Sequence, residues 1–360
     1  MLLSKFQELI TYPMRKWEEP ASGRWVSLCA QMRDYQAPCK KAVMVSERKW
    51  EISSALQKSI RRGDKKMAVD LVSAIGFMSD EYAYFWRRFC VIACEDVGPA
   101  DDVLAAFVIA CSTIFSPKKT DHENYDLLCF LAEQMCDLPM RSRIYCSYSI
   151  IETVASKFVL PDLSEEDEQI LWRIMFRKPT TQNTNRLWQQ WQRENDWRTE
   201  RLLKFVGLTL DLEMTRVKAP IPKHTMLYSL PSYSYDVHTR VGLEMLKRLV
   251  RGVQGAEAIR DFFKRNCVRP AHRALGYALF FVEGGRIHCE LIYTPLCSLE
   301  QRLTAHTYGL PLNDWLHLQM LVREALESGI VDRVRQDVLS ECYCGAPVME
   351  HRSLFSLDSQ

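Results

Sequence analysis

No G-x-x-x-x-G-K-[S/T] loop occurs in this 360-residue chain, and no glycine-rich stretch lies between a strand and a helix. The backbone cradle that grips nucleotide phosphates is therefore missing, which excludes nucleotide hydrolysis of the P-loop kind. The chain also lacks a G-x-S-x-G elbow, an H-E-x-x-H pair and two matched C-x-x-C pairs, setting aside α/β-hydrolase, zincin and zinc-ribbon chemistry. Charge of one sign is scarce as well: 47 basic side chains against 45 acidic ones leave a surplus of +2. So small a surplus makes no field that would draw the whole chain to nucleic acid or a membrane, and any DNA contact must come from a local patch. No stretch approaches the roughly 20 uncharged apolar residues of a membrane span. Met1–Glu8 has no basic segment leading into an apolar core, so the expected location is the cytoplasm, without a membrane partner.

What is present is the balance of a globular protein, 47% apolar and 26% charged, in a chain long enough for two medium helical domains. Of the 13 cysteines, Cys90, Cys94, Cys111, Cys129, Cys136 and Cys146 lie among apolar residues on expected helices, where a thiol packs as a small hydrophobe. An odd count without a secretion signal argues for reduced thiols.

From Ser53 to about Ser156 the apolar period is close to 3.6, the mark of a helical block. Asp64 caps a helix with Met67, Ala68, Leu71, Val72 and Ile75 on its inner face; Ser79 or Asp80 opens the next, which Gly98 and Pro99 stop. Asp101 or Asp102 then caps Val103–Phe115, apolar on nearly all sides and so expected to be central. A further pair spans 124–137 and 142–158, with Pro117–Asp121 an exposed turn. Ser164 caps a helix beyond a boundary near Pro161. Pro220–Pro231 reads as a loop, Pro270 as the first residue of a helix running to Val282, and 313–328 and 331–339 as the last helices. Gly284-Gly285 between apolar runs offers the alternative of a β-hairpin. The expected fold class is mainly α, a multi-helix bundle with at most a small hairpin. Its expected division is an N-terminal extension (1–52), a helical domain (53–160), a second mostly helical domain (161–345) and a loose tail (346–360).

Four groups of residues are candidates for chemistry or binding. Glu95 and Asp96 fall where a helix ends, and the helix dipole disfavours negative charge there by roughly 0.3–1 kcal/mol. Compensating cations are expected, and Lys58, Arg61 and Arg62 are the nearest in kind, forming with Asp64, Glu95, Asp96 and Gly98 a structural clasp in which Arg61 or Arg62 pairs with Glu95 or Asp96. Arg186, Trp188, Trp191 and Arg193 interleave cations with indoles, as a single-strand groove would, although indoles three apart on one helix face also suit packing. Lys247, Arg248 and Arg251, on a basic amphipathic helix, complete the candidate nucleic-acid contacts. Asp236, His238, Thr239 and Arg240 could form a carboxylate–imidazole pair with a hydroxyl and an anion clamp, or Asp236 could simply cap a helix. Cys342, Cys344 and His351 supply three zinc-type ligands without a fourth, so no metal and no cofactor are expected.

Lys58-Ser59-Ile60-Arg61 with Asp64, then Cys94-Glu95-Asp96-Val97-Gly98-Pro99-Ala100-Asp101, then Leu131-Ala132-Glu133 and Pro139-Met140-Arg141-Ser142 occur in that order. The set resembles the C-terminal helical collar domain of the replication-associated recombination ATPases, the clamp-loader-like family that includes the Werner-helicase-interacting protein. The likeness covers about residues 50–155. It departs from the family at Met140 and Arg141, where proline and lysine are usual, and no ATPase module precedes it. The resemblance implies a clamp-loader-collar-like N-terminal half, a protein partner in replication or repair machinery, self-assembly, and no ATP turnover. A freestanding collar suggests a phage or mobile-element protein. The expected function is thus a non-enzymatic DNA replication or repair accessory with protein and DNA contacts; the alternatives are an adaptor or inhibitor docking on a host replication or defence protein, and an enzyme centred on Asp236 and His238.

Overall fold

Apolar side chains that recur every three or four residues produce helices wherever a second apolar face is within reach, and this chain is mainly α, a multi-helix protein with a few very short strands. The computed structural model describes residues 5, 7–10, 23–38, 49–75, 82–115, 125–144, 146–147, 150–151, 164–176, 215–217, 221, 223–286, 290–292 and 294–343. Expectations about Ser79, Asp80, Pro117–Asp121, Pro161, Arg186, Trp188, Trp191, Arg193, Cys344, His351 and the tail lie outside the described residues.

Helix α1 (Gly23–Asp34) lays Trp25 into the core, where the indole N–H donates to the Leu9 carbonyl at 3.2 Å and the ring meets Phe107 edge-on at 5.0 Å. Helices α2 (Lys49–Arg62) and α3 (Lys65–Ile75) form a tight corner. Its pivot is Gly63 at φ +72°, a backbone angle that favours glycine, with the Arg141 guanidinium packed 2.5 Å from where a Cβ would stand. Asp64 accepts the Met67 N–H at 3.0 Å and starts α3.

Helix α4 (Tyr82–Ile92) does not stop at Gly98 by fraying. It widens into a π turn (Ala93–Val97), tightens into a 3₁₀ turn (Gly98–Ala100), and hands over to α5 (Asp102–Phe115). Of the two expected caps it is Asp101 that bonds the Leu104 N–H, at 2.9 Å. As its composition implied, α5 is central: Leu104, Phe107, Val108 and Cys111 have no exposed surface, each large apolar one contributing on the order of 1.5–3 kcal/mol of burial. Helix α6 (Tyr125–Cys136) packs on α2 and α3, and α7 (Glu165–Phe176) begins at Ser164, whose Oγ accepts the Asp167 N–H at 3.1 Å.

Strand β1 (Thr215–Val217) precedes a two-residue hairpin, β2 (Met226–Leu227) with β3 (Leu230–Pro231). That hairpin corrects the reading of 220–231 as plain loop; Tyr228 at φ +56° turns it without glycine, which hid the signal. Helices α8 (Arg240–Arg251), α9 (Glu257–Asn266) and α10 (Ala271–Leu279) follow, the last passing into a second π turn (Phe280–Gly284). Pro270 is the residue before α10 rather than its first. Gly284 ends the second π turn and Gly285 caps it, so among the described residues the pair turns no hairpin. Instead β4 (Glu290–Ile292) pairs antiparallel with β1, Thr215 opposite Ile292. Helices α11 (Thr294–Thr307), α12 (Leu312–Glu327) and α13 (Ile330–Tyr343) complete the described chain. One continuous hydrophobic cluster runs from Trp25 and Leu28 to Trp315 and Leu339.

Candidate functional site

Ser54, Gln57, Lys58 and Arg61 stand at i, i+3, i+4 and i+7 of α2, which puts four polar side chains on one helix face. That face is buried: Lys58 and Arg61 are 3% and 2% exposed. Buried cations demand partners, and the fold delivers them from both ends of the chain.

Lys58 Nζ donates to Ser54 Oγ at 3.0 Å, to the Tyr233 carbonyl at 2.5 Å and to Asp236 Oδ2 at 2.6 Å. Its ammonium has an acceptor for each proton. Arg61 donates from Nε to Asp96 Oδ1, from Nη2 to Asp96 Oδ2 at 3.4 Å, and from Nη1 to the Gly284 carbonyl. Arg62 leaves on the other side, its guanidinium 4.0 Å over the Tyr233 ring and bonded to the Glu283 carbonyl at 3.1 Å. Gln57 Nε2 donates to Glu95 Oε2 at 2.6 Å and Asp96 Oδ2 at 3.0 Å, while its Oε1 accepts from Arg88 Nη2 at 2.5 Å.

Two π turns therefore face each other across α2, the first carrying Glu95 and Asp96 and the second Phe280, Glu283 and the Gly284 carbonyl. Widened turns of this kind cluster at functional sites because they aim groups that a regular helix would bury in its own ladder. The expected conflict between the carboxylates and a helix end is relieved because the helix carries on through the turn. The third motif segment joins the same knot: Ser142 N–H donates to the Asp96 carbonyl at 3.1 Å, and Arg141 donates to the carbonyls of Arg61 at 3.2 Å and Cys136 at 3.0 Å.

Asp236 is held here by a close approach. A Cβ on Gly242 would stand 1.8 Å from the Asp236 carbonyl oxygen, so only glycine lets the first turn of α8 rest against that residue. Asp236 is not the cap of α8, contrary to the simpler expectation. Thr239 caps it, accepting the Gly242 N–H at 3.1 Å, and Asp236 instead accepts the His238 N–H at 2.9 Å and lies 3.2 Å from His238 Nδ1. Burial pushes the Asp236 carboxyl up, but Lys58 and His238 together outweigh it and hold the group well below the usual carboxylate range. Glu95 goes the other way, raised first by burial and then by Asp96 beside it.

A cavity of about 470 Å³ opens over this knot. Lys58, Arg61, Arg88, Glu95, Asp236 and His238 line its polar side, and Trp50, Tyr84, Tyr277 and Phe280 its aromatic side. Cys146 also borders it, but burial pushes that thiol up to about 11, which leaves a poor nucleophile.

Several expected residues lie elsewhere. Asp64 serves as a helix cap and Gly98, at φ +45°, closes the first π turn. Thr239 is spent on capping, and Arg240 is exposed. Lys247 pairs with Glu244 at 3.3 Å and Arg248 with Glu341 at 2.5 Å, while Arg251 is exposed. Cys342 is exposed, and among the described residues no group of side chains is arranged to hold a metal. Gln57, Arg88, Tyr233, Glu283 and Arg335 went unnoticed in the sequence. Gln57 could have been found, since it completes the polar i, i+3, i+4, i+7 stripe; the others come from distant segments. Arg335 pairs with Glu283 at 2.6 Å and Asp332 at 2.8 Å, and Arg143 pairs with Glu300 at 3.1 Å, extending the ionic seam away from the cavity. No family model, curated protein or solved structure matches the chain.

Proposed function

We propose that the protein is a non-enzymatic accessory of DNA replication or repair that works by what it binds. One observation carries this: the charged groups of the collar-like motif have their bonding capacity used up inside the fold, Lys58 on three acceptors and Arg61 on Asp96 and the Gly284 carbonyl. A nucleophile or proton shuttle needs an open valence toward its substrate, whereas matched, buried charges hold a shape. The resemblance of the same residues to a collar domain supplies the setting, a protein partner within the replication or repair machinery of a phage or mobile element, in the manner of an accessory or a host-directed adaptor. Electrophoretic shift with single-stranded and forked DNA over a salt series, together with affinity capture from the native cell, tests it. Binding that weakens steeply with salt, or capture of replication proteins, supports the reading; neither shift nor such a partner overturns it.

A second reading, an enzyme, is favoured by the His238 geometry. An imidazole donating Nδ1–H to Asp236 keeps its lone pair on Nε2, at the rim of a cavity that also holds Glu95. Under that reading His238→Ala abolishes a turnover that Arg248→Ala leaves unchanged.

A further inference from the structure

Arg88 is the cation that the ionic seam leaves over. Among the described residues, Lys58 and Arg61 each face a carboxylate in ion-pair contact, and Arg88 faces none. Its Nη2 is used on Gln57, but its buried Nε has no hydrogen-bond partner among the described residues. A buried guanidinium N–H without an acceptor is costly; that Nε is sealed from solvent, while the Arg88 side chain as a whole lines the cavity. Glu95 shares the cavity lining. It stays outside ion-pair contact with Arg88 and accepts from Gln57; burial and Asp96 raise its carboxyl, while the charge of Arg88 pulls it part of the way back.

The mouth of the same cavity is aromatic. Trp50 is 57% exposed and meets Tyr84 edge-on at 5.4 Å, and Lys49 Nζ stands 5.5 Å from both ring centres. An indole kept in solvent beside a pocket has apolar area to gain by being covered, and its flat face suits a flat ring. Tyr277 and Phe280 line the cavity too, with His238 edge-on to Phe280 at 6.3 Å. At about 470 Å³ the cavity lies in the range of small-molecule sites.

A guanidinium without an ion-pair partner, on a cavity wall beside an exposed indole, suits a phosphate joined to a ring. We propose that the seam cavity binds a nucleoside phosphate, with Arg88 clamping the phosphate and Trp50 and Tyr84 stacking on the base. This deepens the accessory reading, on which the choice of a nucleotide rests. The nucleotide is either free or the 5′-terminal residue of a single strand, since both present the same chemistry.

Calorimetric titration of the full chain tests it with deoxyadenosine monophosphate, deoxyadenosine, inorganic phosphate, and a short oligothymidylate with and without a 5′-phosphate. The expected result is binding of the monophosphate, or of the phosphorylated strand above its unphosphorylated twin, with nucleoside and phosphate alone much weaker. Arg88→Gln is expected to weaken that binding by roughly tenfold or more. Trp50→Ala, at an exposed position, is expected to weaken it severalfold, and Arg248→Ala, outside the cavity lining, to preserve it. Preference for the free monophosphate assigns the cavity to a free nucleotide, and preference for the phosphorylated strand assigns it to a strand end. No binding of either at millimolar concentration, or binding indifferent to both Arg88→Gln and Trp50→Ala, overturns the proposal. A gel shift that survives such a failure shows that the accessory reading stands and only the cavity assignment falls.

Discussion

Helices α2 and α8 both carry clusters of basic residues, Lys58-Arg61-Arg62 in one and Lys247-Arg248-Arg251 in the other, and the fold treats them oppositely. On α2 the cations turn inward, sealed against Asp96, Asp236 and carbonyls of the second π turn. On α8 they stay at the surface, where Lys247 and Arg248 lean on Glu244 and Glu341. The difference follows from the opposite face of each helix. The inward face of α8 is apolar through Val241, Met245, Leu246 and Leu249, so its charges are left to solvent. The face of α2 toward the second half of the chain is the polar one. A basic cluster in sequence therefore says nothing about its own exposure until the partner of the helix is known.

Substitutions can break this comparison. The largest expected effect is Arg61→Ala, which strands a buried Asp96 and is expected to cost about 3–5 kcal/mol in chemical denaturation; a loss under a tenth of that would mean the seam is wet. Asp236→Asn should come next, lowering stability at neutral pH and flattening its acid dependence. Because the folded pKa of Asp236 lies below the unfolded value, the native state binds fewer protons, so the stabilisation is complete above the ordinary carboxylate pKa of ~3.9 and lost as pH falls below it. Thermal melts of wild type and variant down that range should converge; parallel curves would sink the assignment. Replacing both partners of the buried pair, Lys58→Met with Asp236→Leu, should recover stability lost in either single variant.

Glu95→Gln has the opposite sign. A raised carboxyl makes wild-type stability fall as pH rises through its folded pKa, so the glutamine variant should melt higher than wild type at alkaline pH and match it in acid. The smallest effect belongs to Arg248→Ala, whose partner is exposed; its melting temperature should stay within the scatter of repeat runs. If Arg248→Ala proved as damaging as Arg61→Ala, the contrast between the two helices would be lost.

The helices were largely legible. Asp64, Asp101 and Ser164 announced caps that exist, and the unbroken apolar run 103–115 announced the central helix. Helix α9 was missed although Ile259, Phe262 and Phe263 show its spacing, and α11 has a mixed face that periodicity resolves poorly. The pairing of β4 with β1 was beyond reach, although 287–293 offered a strand as the second arm of the hairpin alternative, since each strand has three residues and 75 positions separate Thr215 from Glu290. At the site, the need for cations of α2 to answer the charges of Glu95 and Asp96 could be read from charge alone. That Asp236 belongs with Lys58, 178 residues away, could not.

Composition and periodicity by themselves determined that this chain is helical, that it lacks a phosphate loop, and where several of its helices begin, because helix hydrogen bonds and caps are satisfied within a few residues. Only the tertiary structure decided which charges are buried together, because pairing across 178 residues depends on two elements being packed face to face. It also decided that Arg88 lines a cavity with an exposed indole and has no ion-pair partner among the described residues. Burial turns a formal charge into a strong constraint, and burial is a property of the fold.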